Sequence, residues 1–79
     1  MVRYNFGKLK GKIKEIYNTQ NDFAKDMEMA PNTLSSKLNN QSYFSSEEIS
    51  KAVVLLKIND PVEAWHIFFT EDVENISTK

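Results

Sequence analysis

A chain of 79 residues accommodates one domain and no second, and at this size folding buries only roughly 60–65% of the unfolded surface, so modest stability is expected. The absence of cysteine excludes a disulfide framework and a thiolate metal site. The opening MVRYNFGKLKGKIKE lacks the apolar run of a signal peptide, and the apolar stretches 52–56 and 67–69 are too short to span a bilayer. A soluble, cytoplasmic protein is expected. The net charge of −1 argues against a generic polyanion binder. The charge is unevenly spread, however: nine basic and six acidic residues lie up to Ile58, against one basic and five acidic from Asn59 onward. Arg3, Lys8, Lys10, Lys12 and Lys14 all precede the first acid, Glu15.

Few glycines and prolines, and no sustained β-branched alternation, predict an all-α chain. Phe6, Leu9, Ile13, Ile16 and Tyr17 recur at three- and four-residue steps and predict a first helix over 5–17. Gly7 and Gly11 weaken it by up to about 1 kcal/mol each and would let another backbone approach. Thr19 suits an N-cap, with Asp22 in place of the glutamate of a capping box. A second helix follows over 20–27, its inward face Phe23, Ala24 and Met27. Glu28 and Met29 form a tight connection. Pro31 suits the first position of a third helix over 31–38, in which Leu34 and Leu38 face the core. The rest of its surface is Asn32, Thr33, Ser35, Ser36 and Lys37, an unusually short and neutral set for an exposed helix.

Ser45-Ser46-Glu47-Glu48 reads as a capping box opening a fourth helix, with Ile49, Val53 and Leu56 as its core stripe, widened by Ala52 and Leu55. Asp60-Pro61-Val62-Glu63 repeats the start signal for a fifth helix carrying Ala64, Trp65, Phe68 and Phe69. These aromatics exceed what one helix face buries, so one or two are expected in the core and the remainder at a dimer contact. His66 has no neighbours to complete a metal site. The folded domain is expected over 1–70, followed by a polar, acidic, frayed tail over 71–79.

The short helices over 20–38 match a helix-turn-helix unit. The run Thr19-Gln20-Asn21-Asp22-Phe23-Ala24, then Met29-Ala30-Pro31-Asn32-Thr33-Leu34-Ser35, resembles the lambdoid repressor and Cro superfamily of phage regulators. With Ser36-Lys37-Leu38-Asn39, Phe44, Glu48-Ile49, Leu56 and Phe68-Phe69 added, the chain is similar to small Cro-like proteins of Gram-positive phages and prophages. The resemblance covers 6–69. It departs from the superfamily at Glu28 and Asn40, where glycine is usual, and at Pro31, where several members carry a base-reading side chain. It implies that Gln20 touches phosphate and braces the third helix. It places Asn32 and Ser36 in a major groove, with Thr33 and Ser35 beside them at a base edge or phosphate. Asn39, Asn40 and Gln41 match a loop whose amides and side chains meet phosphate.

The residue types suit that chemistry independently. An asparagine matches the donor and acceptor of a base edge bidentately, adenine best, and short side chains let a helix N-terminus approach phosphate. Lys37, with Lys8 or Lys10, would add charge and a salt dependence. The expected function is a DNA-binding regulator acting as a homodimer on a two-fold operator in double-stranded DNA, with no cofactor. The alternative is a protein-binding modulator of a repressor on the same scaffold, which the acidic C-terminal third and the surplus aromatics favour. The two part on whether positive potential gathers at the third helix or is cancelled by Asp22, Asp26 and Glu28. An enzyme is not expected: one histidine, no cysteine and no glycine-rich loop leave nothing to assemble.

Overall fold

The computed structural model describes residues 3–71. Five α-helices follow one another: α1 (Gly7–Tyr17), α2 (Gln20–Met27), α3 (Pro31–Leu38), α4 (Ser46–Leu55) and α5 (Pro61–Phe69). The expected all-α class is observed, with an isolated antiparallel bridge between Tyr4 and Glu71 as the sole β pairing among the described residues. Beyond Glu71 the expected tail lies outside the described residues. None of the described helices is long and apolar enough to cross a membrane.

Start signals account for where the helices begin. Thr19 Oγ1 accepts the Asp22 N–H at 3.1 Å, which is the side-chain half of the expected box. At α4 both halves are present: Ser45 Oγ accepts from Glu48 N at 3.1 Å and Glu48 Oε1 from Ser45 N at 2.9 Å. Asp60 Oδ1 accepts from Val62 N at 2.9 Å, with Pro61 at the first position of α5. α1 starts two residues later than expected because Asn5 Oδ1 takes the Gly7 N–H at 2.9 Å, turning the chain before the helix forms.

The helix ends follow a second rule. After α2, Glu28 adopts φ 62, Glu28 N donates to Lys25 O at 3.0 Å and Met29 N to Ala24 O at 3.0 Å. After α3, Asn40 adopts φ 65, with Asn40 N to Lys37 O at 3.2 Å and Gln41 N to Ser36 O at 2.8 Å. After α4, Lys57 at φ 59 repeats the pattern through Val54 O and Val53 O. Each is a Schellman motif, which favours glycine at the left-handed position. Here Glu28, Asn40 and Lys57 occupy it, at a cost that glycine would avoid.

The core is one cluster formed by Phe6, Leu9, Ile13, Phe23, Ala24, Met27, Leu34, Leu38, Ala52, Leu56, Ile58, Ile67 and Phe68. α2 packs against α1, α3 and α4, and α5 returns against α1. The expected stripe of α4 is rotated: Ala52 and Leu56 are buried, while Ile49, Val53 and Leu55 are half-buried at its edges. In α5, Ile67 takes a core place that the sequence pattern does not assign to it, and Trp65 is turned outward. The glycines of α1 do not admit another backbone. A Cβ at Gly7 would meet Asn5 Oδ1 at 3.1 Å, and one at Gly11 would meet nothing within 4 Å.

Three distant parts of the chain meet at Tyr4. The Asn40 amide grips its backbone from both directions, Tyr4 N donating to Asn40 Oδ1 at 2.8 Å and Asn40 Nδ2 to Tyr4 O at 2.9 Å. Next to it Asn5 N donates to Thr70 O at 2.7 Å. The Tyr4 ring lies edge-on to Phe69 and 6.1 Å from Phe6, which in turn packs edge-on to Phe44.

Two stability outcomes are expected. Asn40→Gly retains the backbone conformation and loses both amide bonds, a destabilisation of about 1–2 kcal/mol. Asn40→Ala adds the left-handed penalty and falls about 1 kcal/mol lower. Urea midpoints of the two variants measure the difference, and equal losses would mean that the conformation of Asn40 contributes nothing. Gly11→Ala gains about 0.5–1 kcal/mol of helix stability, read as a rise of several degrees in thermal midpoint; a fall would mean that the site is more crowded than the geometry shows.

Candidate functional site

α3 lies on its neighbours through Leu34 and Leu38 and presents Asn32, Thr33 and Ser35 outward, with Ser36 half-buried beside them. The expected readers Asn32, Ser36 and Ser35 therefore lie on accessible backbone turns of one short helix, though only the first two share its i, i+4 row. Among the described residues no side-chain hydrogen bond engages Asn32, Thr33, Ser36, Gln41 or Gln20, the last exposed at the start of α2. Ser35 is partly occupied, since its Oγ accepts from Asn39 Nδ2 at 3.3 Å.

Lys37 is placed against expectation. Its Nζ lies 3.3 Å from Glu48 Oε1, donates to Tyr43 O at 2.9 Å and sits 6.0 Å from the centre of the Phe44 ring. With its side chain only 12% exposed, the one cation of α3 is folded back to fasten the helix to the start of α4. The partnership is mutual. The Ser45 backbone N–H, and then the hydrogen bond and charge of Lys37, hold the Glu48 carboxyl below the usual carboxylate range despite the opposing effect of its partial burial.

The loop after α3 is likewise consumed from within. The backbone N–H groups of Asn39, Asn40 and Gln41 all donate to carbonyls of α3, and the Asn40 side chain holds Tyr4. The expectation that the amides of this loop and the Asn40 side chain meet phosphate is therefore corrected: those donors already have partners. What remains outward is the Gln41 side chain and the edge of Asn39. The reason is the Schellman closure of α3, which satisfies the helix carbonyls with the same amides.

Beside α3, α2 and its turn carry Asp22, Asp26 and Glu28 against Lys25 alone. Asp26 Oδ2 accepts the Tyr17 hydroxyl at 2.8 Å, and desolvation, followed by that carboxylate, raises the Tyr17 pKa above the ordinary phenol value. Glu28 pairs with Lys51 at 3.5 Å, an exposed contact of little energetic weight. Positive charge thus does not gather around α3.

The three aromatics expected to include a dimer contact separate clearly. Phe68 is core at 2% exposure and is unavailable to a partner. Phe69 is half-buried between Tyr4 and Trp65, and Trp65, 61% exposed, stacks on it with ring centres 4.6 Å apart. Among the described residues no group of three or more metal-binding side chains converges.

Residues 2–71 match the family described as "Protein of unknown function (DUF739)". Among solved structures, the chain is similar to the solution structure of the modulator of repression (MOR) of the temperate bacteriophage TP901-1 from Lactococcus lactis. The two are 39% identical with a TM-score of 0.72, over 84% of this chain and 88% of that one. No curated protein matches the chain. Neither match is to a Cro or lambda-repressor family; what the modulator of repression has in common with the resemblance seen in the sequence is that it is a phage regulatory protein.

The Lys37–Glu48 fastening has a pH signature. A carboxyl whose folded-state pKa is depressed contributes stability above its unfolded value and loses it as pH falls through the folded one. Glu48→Gln is therefore expected to cost about 1 kcal/mol near neutrality and progressively less in strong acid. Urea midpoints of both proteins at neutral and acid pH measure the gap; a constant gap would mean that ionisation of Glu48 plays no part.

Proposed function

The chain belongs to the DUF739 family, and from that premise we propose that it is a phage or prophage regulatory protein that modulates repression by binding a repressor through the exposed face of α3. The similarity to a phage modulator of repression supports the setting. The observation that carries the choice of a protein partner is the commitment of Lys37 to Glu48 and Tyr43 O. It leaves α3 with an uncharged outer face of Asn32, Thr33 and Ser35, flanked by the carboxylates of α2.

α2 and the turn that leads into α3 carry Asp22, Asp26 and Glu28 against Lys25 alone, a net negative charge beside α3 that repels phosphate. A repressor is a different surface. The face with which a repressor contacts DNA is basic, so the α2 carboxylates would steer the encounter while the short neutral side chains of α3 allow close approach. Binding there would compete with the operator and relieve repression. Sequence-specific reading of an operator by Asn32 and Ser36 is the second reading. It is favoured by the exposure of Asn32 and Thr33 at the N-terminal end of α3, without internal partners among the described residues.

The double variant Asn32→Arg with Ser35→Arg separates these readings, because bulk and charge obstruct a protein interface while adding contacts to phosphate. Titration calorimetry against the repressor of the same phage or prophage is expected to show at least about a tenfold fall in affinity, the size of effect that disrupting one well-packed side chain produces. Undiminished repressor binding by the variant would move the repressor contact off α3, and enrichment of a palindrome by the unaltered protein from a random duplex library would transfer the assignment to operator reading.

A further inference from the structure

The lysines of α1 read as a single basic run in the sequence, and the fold sorts them onto two flanks. Leu9 and Ile13 point into the core. At about 100° per residue, Lys8 and Lys12 fall on one side of that stripe and Lys10 and Lys14 on the other. On the first side α1 meets α5. The groove lined by Lys8 and Lys12 also contains Glu15, Asp60 and Glu63, and Lys12 Nζ lies 3.9 Å from Glu15 and 3.7 Å from Glu63. That flank is neutralised.

The second flank is not. Two hollows open on either side of Lys10. One, of about 330 Å³ at the start of α1, is lined by Arg3, Lys10, Asn39 and Asn40 among others. The other, of about 280 Å³ between α1 and the start of α2, is lined by Lys10, Lys14, Thr19 and Gln20 among others. Neither lining contains a carboxylate. Among the described residues Arg3, Lys10 and Lys14 form no ion pair; Lys8 forms none either, but it shares its groove with Glu15, Asp60 and Glu63, so the lining and not the pairing separates the two flanks. Asp22, the first carboxylate of α2, stands two residues beyond Gln20, about 200° round the helix and so on its far side.

We propose that this flank, Arg3, Lys10 and Lys14, is a contact for the phosphate backbone of duplex DNA. Lys10 and Lys14 stand one turn apart, about 6 Å along the helix axis, with the uncharged donors of Asn39, Thr19 and Gln20 at either end. The flank runs from the end of α3 to the start of α2, so a strand of phosphates laid on it passes both ends of the α2–α3 pair and leaves the outer face of α3 open to a protein. Such contacts position a protein on DNA without reading sequence. A modulator held weakly on DNA near an operator would meet its repressor at a raised effective concentration. The inference does not rest on the repressor-binding reading, because the DNA contact is measured with no repressor present.

The test is fluorescence anisotropy of a labelled duplex of arbitrary sequence, titrated with the full chain at several salt concentrations. Weak binding at low salt is expected, with Lys10→Gln plus Lys14→Gln reducing affinity about tenfold or more and the salt slope by about 2, one for each phosphate that a lysine no longer neutralises. The matched pair Lys8→Gln plus Lys12→Gln, on the neutralised flank, should leave both within about twofold. Thermal melts confirm that both variants are folded before comparison. No binding by the unaltered chain at low salt, equal losses in the two pairs, or tighter binding of single-stranded RNA than of the duplex would each overturn the assignment.

Discussion

The grip of Asn40 on the backbone of Tyr4 is the constraint around which the molecule is arranged. It joins the end of α3 to the segment entering α1, thirty-six positions apart in the chain. It depends on a left-handed backbone at Asn40 that also closes α3. Asparagine suits both duties: it tolerates that conformation better than most residues, and its amide offers a donor and an acceptor to one peptide unit. With Tyr4 held, its ring braces Phe69, and Asn5 reaches Thr70 at the end of α5. A small domain with no disulfide gains from such a tie, because ordering each extra residue must be offset by few buried contacts.

The polar chemistry of the surface is governed by which cations have been committed internally. Lys37 secures α3 to α4, Lys51 answers Glu28, and Lys12 answers Glu15 and Glu63. The outcome is a short helix with a neutral outer face, an acidic neighbour in α2, and a basic flank on α1 that no carboxylate lines. A protein partner on α3 and phosphates on α1 are therefore compatible, since the two surfaces do not compete for the same residues. The exposed Trp65, stacked on Phe69, lies apart from both assignments.

Local signals were legible where the interaction is local. The bounds of α2 and α3 follow from Thr19, Pro31 and the spacing of apolar residues, and the capping box at Ser45 follows from four consecutive letters. Asn40 was legible as a helix end because its backbone conformation is a local matter. The role of its side chain was not, because its partner Tyr4 lies thirty-six positions away; the loop amides were assigned to phosphate by resemblance, although their partners are the nearby carbonyls of α3. The stripe of α4 and the core place of Ile67 were misjudged for a related reason: hydrophobicity identifies candidates, but the direction from which a neighbouring helix arrives selects among them.

From the order of residues alone it follows that this is a small all-α domain, where α2 and α3 start and stop, and that the third helix is short and polar outside. Those properties arise from interactions within about one helical turn. Which charges remain available is settled by tertiary packing instead. Lys37 reads as a surface lysine until α4 brings Glu48 to it, and the lysines of α1 read as one run until α5 neutralises one flank and leaves the other open. An ion pair depends on distance in space, and in a helical domain that distance is set by how the helices pack.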